Sequence, residues 1–250
     1  MNLVRSEFRK LFSTQVWFWL LLTCVTLTAL GVWGTIGGND DAELTQNVRN
    51  VFVSAQAAFT YVPLFVLGVL AVTTEFRYQT ITPTVLATPS RWSVVGAKII
   101  TYVGVGILYA LVCLVVELAM ALPWLSARNI DYSLGDQSGA IFSTFLVLVL
   151  FTLFGIGAGA LLRNQIVAVT LGIIFIIVLG NIVLIIPGVK YIYPYLPTGL
   201  VNAIATQASD SRTINDVTLL SAGAAVGILV IWGLGMSLLG AGLSMNRDIT

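Results

Sequence analysis

The chain contains no histidine, and only 9% of its residues are charged. Without an imidazole, the commonest general base at neutral pH is missing. No G-x-x-x-x-G-K-[ST] string occurs, so this chain cannot cradle nucleotide phosphates in a P-loop. No paired carboxylates share a helical face, and no nucleophile stands beside a base. Cysteine is almost as scarce. Cys24 and Cys113 fall inside apolar runs, at different expected depths, and read as small buried hydrophobes rather than a disulfide or a metal site. Basic runs interleaved with aromatics are lacking, which argues against nucleic acid as a partner. The reading is a non-enzyme, with no catalytic residue, cofactor site or metal site of its own.

Apolar residues are what the chain has in abundance: 58% of its 250 positions. Soluble domains carry about 25% charged residues. A chain this poor in them cannot cover itself with a polar skin, so lipid must be its solvent. Six apolar runs have the roughly 20 residues that a helix needs to cross a bilayer. They extend over 16–36, 51–73, 94–122, 140–162, 166–186 and 217–243. The expected fold is an all-α membrane protein, with residues 1–250 forming one transmembrane domain.

The connections between the runs are polar. With both termini in the cytoplasm, Arg5, Arg9, Lys10, Arg77, Arg91, Lys98, Arg163 and Arg247 fall inside. Arg49, Arg128, Lys190 and Arg212 fall outside. This bias of eight to four follows the positive-inside rule, and an even number of spans returns the C-terminus to the same side. The expected location is the cytoplasmic membrane, crossed several times.

Residues 1–15 precede the first run and do not resemble a cleavable signal, since no A-x-A-like site follows that run. On a helical projection Leu3, Val4, Phe8, Leu11 and Phe12 share one face. Arg5, Ser6, Arg9 and Lys10 occupy the other, with Glu7 near the boundary. The pattern predicts an amphipathic helix lying in the interface, its cations towards headgroups. The plainer reading is a basic leader that only sets topology.

A few residues inside the runs could matter to transport. Glu117 is the one acid within a run, towards the outer end of the third. It is either functional or held in a polar contact at that interface. Asn181 in the fifth run is read mainly as a hydrogen-bonding contact between helices. Pro63 is expected to kink the second helix, as a hinge or as a static bend. These three are the candidates for a translocation path. Gly155, Gly157, Gly159, Gly223, Gly227 and Gly104 have the small size that close helix packing requires. The tract Tyr191, Tyr193, Pro194, Tyr195, Leu196, Pro197 lies in the external segment 187–216 and reads as an interface anchor, or a lid.

Between the second and third runs stands Glu75-Phe76-Arg77-Tyr78-Gln79-Thr80, then Leu86-Ala87-Thr88-Pro89-Ser90-Arg91, then Lys98. This segment resembles the cytoplasmic loop of ABC-2-type transporter permeases, which often read E-x-x-x-x-T, an apolar stretch, P-x-R and a later lysine. The layout of an N-terminal amphipathic helix, six spans and a long external segment is similar to theirs over nearly the whole chain. The motif itself covers about 25 residues. The resemblance implies a type V-exporter-like architecture in which residues 74–93 form a coupling loop docked on a separate ATPase subunit. Glu75, Arg77, Thr80, Val85, Leu86 and Arg91 would make that contact. The turn at Arg163 and Asn164 would make a second, smaller one. It also implies two ATPase copies carrying Mg-ATP, and a second permease copy, identical or homologous, the pair lining a path with their second and fifth helices.

The function expected is the permease subunit of an ATP-driven exporter. Apolar walls with few fixed charges suit an amphipathic cargo such as a drug, an antibiotic or a lipid-like molecule. A secondary transporter or channel is the alternative, although such proteins usually place ionisable relays at mid-membrane. A membrane anchor or assembly protein is the third reading.

Overall fold

The computed structural model describes residues 2–78, 91–206 and 213–245. Six helices among them are long and apolar enough to cross a membrane: Val16–Gly37, Val48–Arg77, Val95–Ala127, Leu134–Leu162, Gln165–Val183 and Ala222–Gly240. The chain is an all-α, multi-pass membrane protein, and these are its first to sixth spans. Helix α1 (Asn2–Phe12) precedes them. Successive spans alternate in direction. Hence α1, both stems of residues 79–90, the 163–165 turn and the end of the sixth span share one end of the bundle, the near end.

The fourth span is the axis. It packs along the second and sixth spans and more lightly along the third. Glycine makes this contact possible, because only a missing side chain lets two helix backbones touch. Gly155 lies against the Phe65 carbonyl and Gly68, Gly159 against Val69, and Gly157 against the Gly233 carbonyl of the sixth span. A Cβ at any of these would enter the neighbouring backbone. Gly104, Gly223 and Gly227 differ from expectation: nothing lies within 4 Å of where their Cβ would be. Gly233 and Gly240 take the close-packing role in the sixth span.

Coverage falls away from this axis. The fourth span has 67% of its apolar stretch buried, whereas the first and fifth have 17% each. The larger apolar cluster runs the length of the bundle, from Leu11 at the near end to Tyr193, Leu200 and Leu219 at the far end. A second cluster, with Val32, Ile36, Phe52, Ala121, Leu125 and Ala140, packs the far ends of the first four spans together.

The second span is not one kinked helix. It begins as a 3-10 turn (Val48–Val53), passes through Ser54–Ala57, breaks, and resumes at Tyr61–Arg77. The break falls at Phe59, whose φ of 58° lies in the left-handed region. Pro63 is in the first turn of the resumed helix, where the backbone N–H it lacks has no intrahelical acceptor. The expected proline kink is therefore a break placed just before the proline. Pro123 also departs from expectation. It stands just past the third run, 94–122, yet the helix continues through it to Ala127. Burial of Leu125 beyond the proline offsets the lost hydrogen bond.

The sixth span begins at Ala222 rather than Val217. Residues 213–218 form a small hairpin instead, Thr213–Ile214 pairing antiparallel with Val217–Thr218. Asn215 and Asp216 both have positive φ, 48° and 63°, as a two-residue I′ turn requires. Before it, Lys190–Tyr195 forms a 3-10 turn, and the helix Pro197–Ala205 packs on the sixth span. Tyr191 and Tyr195 are exposed, as an anchor would be, whereas Tyr193 is buried and accepts a hydrogen bond from Asn202. The Arg49 guanidinium donates to the Ala205 carbonyl and so caps this helix.

Candidate functional site

Four charged side chains converge at the near end: Glu7 and Lys10 from α1, Glu75 from the second span and Lys98 from the third. The Lys98 ammonium donates to Glu7 Oε2 at 2.8 Å and to the Ala71 carbonyl at 3.1 Å, and lies 2.9 Å from Glu75 Oε1. Two of its protons are thereby in hydrogen bonds, and Glu75 is held beside it as an ion pair. Lys10 donates to Glu7 Oε1 at 2.6 Å and to Glu75 Oε1 at 2.7 Å. Charges alternate around the ring and sum to zero. Glu7, Glu75 and Lys98 have side chains only 5–7% exposed, while Lys10 is 44% exposed.

Burial raises the proton affinity of Glu7, but the Lys98 charge and the bonds from both lysines outweigh it. The carboxyl is held below its ordinary value. For Lys10, burial works towards the neutral form. Its hydrogen bonds to Glu7 and Glu75 prevail and hold the ammonium above its ordinary value. Both carboxylates of the ring are met by lysine ammonium groups. The arrangement fastens three elements together.

The helical projection placed Glu7 at the boundary of α1 and turned Lys10 towards headgroups. In the structure both face the bundle, and α1 leaves Arg5 and Arg9 exposed. Glu75, expected on the edge of a docking surface, is turned inward and clamps the loop's first stem. Lys98 clamps its second stem. Thr80, Val85 and Leu86 lie outside the described residues. So does the side chain of Arg91, at which the third helix begins.

Arg77 is exposed at the end of the second span. It donates to Gln165 Oε1 at 3.2 Å and lies over the Tyr78 ring. The contact joins the second span's end to the 163–165 turn. That turn is sharply built. Arg163 sits at φ 55° and donates to the Gly240 carbonyl, while Asn164 Oδ1 accepts from the N–H groups of Ile166 and Val167. An Asn cap of this kind starts a helix immediately after a left-handed stop.

Pro63, Glu117 and Asn181 are not brought together. Glu117 is 1% exposed, so it does not reach out to the interface. Its Oε1 accepts from Ser54 Oγ at 3.0 Å and from the Ala55 N–H at 3.3 Å. It therefore satisfies a backbone donor where the second span changes from 3-10 to α geometry. Beside it, Gln56 Nε2 donates to Ser143 Oγ and Thr144 Oγ1 of the fourth span. Both hydroxyls give their own protons to backbone carbonyls, Ala140 and Phe52, which fixes the amide's orientation. Asn181 is exposed and donates to the Ile177 carbonyl of its own helix, not to a neighbouring span.

Among the described residues, no group of three His, Cys, Asp or Glu stands close enough to hold a metal ion. No protein-family model matches the chain, and no curated protein matches it.

Proposed function

We propose that the chain is the transmembrane permease subunit of an ATP-binding cassette exporter. A separate ATPase, in two copies holding Mg-ATP, would bind its near end, and a second permease copy would complete the path. In this reading the near end is cytoplasmic, with both termini there and α1 lying in the interface. The cargo is amphipathic.

The ring of Glu7, Lys10, Glu75 and Lys98 carries this reading. The segment that resembles a coupling element, 74–93, joins the second and third spans, which are both locked to α1 and to each other at its two ends. A push on that loop is therefore not absorbed at its base and passes to the second and third spans and to α1. The Arg77–Gln165 contact passes it to the fifth span. The ring's alternating charges suit a rigid mount, because each buried carboxylate has cationic partners that offset its desolvation.

Co-purification with candidate ATPases tests the proposal. A partner is expected to bind the unaltered chain and to be lost when Arg77→Glu and Arg91→Glu are combined. If no ATPase binds, or if binding ignores both reversals, the exporter reading fails.

A further inference from the structure

Helix α1 turns one side to the bundle and leaves the other bare. Glu7 and Leu11 are buried, whereas Arg5, Arg9, Phe12 and Ser13 are exposed. Arg5 and Arg9 stand one turn apart, and Phe12 and Ser13 follow one turn beyond Arg9 on the same side. Neither guanidinium makes a hydrogen bond or an ion pair among the described residues. The acids of the near end, Glu7 and Glu75, are already taken by Lys10 and Lys98. Two like charges at this spacing repel unless an anion lies between them. Where α1 meets the first span, the chain folds around an open-sided recess of about 400 Å³. Phe12, Trp17 and Trp19 wall it, and Ser13, Thr14 and Gln15 form its polar side. The corner is held in shape from within. The Phe12 ring stands edge-on to Trp17 with centroids 5.1 Å apart, and the Tyr109 hydroxyl donates to the Trp17 carbonyl at 2.5 Å. Ser13 Oγ and Thr14 Oγ1 give their protons to the carbonyls of Lys10 and Leu11, so what they have left to offer is acceptor lone pairs. Both precede the start of the first span at Val16, which is headgroup level, where tryptophan also settles.

We propose that this corner binds one anionic phospholipid with a hydroxyl-bearing headgroup, of the phosphatidylglycerol class. Its phosphate bridges Arg5 and Arg9, whose forked donors match phosphate oxygens. The headgroup hydroxyls donate to Ser13 and Thr14, and the first carbons of the acyl chains lie along Phe12, Trp17 and Trp19. A choline headgroup brings neither a net negative charge nor a hydroxyl proton to these partners. The bound lipid braces α1 against the first span from outside the bundle, as the charged ring fastens α1 to the second and third spans from inside. The inference depends on the chain crossing a membrane, and neither on the exporter reading nor on which leaflet the near end faces.

The test uses the full chain in detergent, offered phosphatidylglycerol and phosphatidylcholine together, with the lipid retained per chain counted by native mass spectrometry. One phosphatidylglycerol is expected to stay bound while phosphatidylcholine washes away. Arg5→Gln combined with Arg9→Gln should weaken its hold by about thirtyfold, the effect of two lost surface cations. Both side chains are exposed, so the melting temperature in phosphatidylcholine should not change. Ser13→Ala combined with Thr14→Val should erase the preference for phosphatidylglycerol over phosphatidic acid, which has the phosphate but no headgroup alcohol. Soluble glycerol phosphate separates a lipid site from a site for the free anion, and is expected not to displace the lipid. The proposal is overturned if the unaltered chain retains both lipids equally, or holds several phosphatidylglycerols alike, as general charge attraction would give. It is equally overturned if the arginine variant keeps its preference, if the hydroxyl variant still favours phosphatidylglycerol over phosphatidic acid, or if glycerol phosphate alone displaces the lipid. The comparison on the unaltered chain needs no substitution, so a folding defect cannot hide the answer.

Discussion

Glu7 Oε2 and the Lys98 ammonium meet at 2.8 Å across 91 positions of sequence, with both side chains shut away from solvent. The contact joins a helix that precedes the first span to the beginning of the third. Its strength depends on Lys98 serving two carboxylates, and this gives a direct test.

Lys98→Met leaves Glu7 and Glu75 with only the half-exposed Lys10. Removing one partner of a buried pair costs about 3–5 kcal/mol. The double change Glu7→Gln with Lys98→Met leaves the Glu75–Lys10 pair intact and is expected to cost less than the two single changes added together. Unfolding in detergent measures the coupling, expected at about 0.5–3 kcal/mol for contacting residues. A coupling of zero would mean that the two side chains do not interact.

The docking of α1 should depend on pH only at the extremes. Glu7 is held below its ordinary 4.5, so its contribution is complete above that value and disappears as pH falls through the lower folded value. Lys10 is held above its ordinary 10.5, so its contribution is complete below that value and disappears as pH rises through the higher folded one. A spin label at Ser6, in a chain whose cysteines are replaced by alanine, should stay immobile between these limits and loosen beyond them. Glu7→Gln is expected to weaken docking at neutral pH and to flatten the acid limb.

Glycine positions should separate into two classes. Gly68→Ala and Gly155→Ala push a methyl into a facing backbone, which costs about 1–3 kcal/mol. Gly104→Ala and Gly227→Ala meet open space and should be neutral or stabilising by up to about 1 kcal/mol. Melting temperatures of the four variants decide this; equal losses in all four would refute the assigned contacts.

Glu117 should tolerate an amide. Glu117→Gln keeps an acceptor for Ser54 and Ala55 and is expected to hold near-native stability. Glu117→Leu strands a buried N–H and hydroxyl, at about 1–3 kcal/mol each when unpaired. If leucine proves as good as glutamine, the carboxylate is not a backbone cap.

Much of this architecture was legible because lipid imposes a length on apolar runs. Each of the six runs reappears as a span, with ends that move by a few residues. Errors occur where local chemistry outweighs hydropathy. Asn215 and Asp216 announced a tight turn between β-branched pairs, yet the apolar run starting at Val217 hid it. Ser54, Gln56 and Thr60 just before Pro63 signalled a discontinuity rather than a bend.

The near-end ring was not legible as a unit. Glu7, Glu75 and Lys98 are far apart in sequence, and pairing at that distance leaves no periodicity. One signal was available: each of the four charges lies near one end of an apolar run, at what must be the same end of an alternating bundle. Glu75 was singled out for its motif, whereas its burial depends on partners from two other helices.

The glycine-lined contacts of the fourth span have a mechanical corollary. Backbones in direct touch interlock, and neither can slide without climbing over its neighbour. The second, fourth and sixth spans therefore behave as one plank. Any reshaping of this bundle falls first to the sparsely covered fifth span, whose Gly172 and Gly180 meet the side chains of Phe65 and Thr198 rather than backbone, whereas the first span is pinned to the second where Gly31 meets the Ser54 carbonyl.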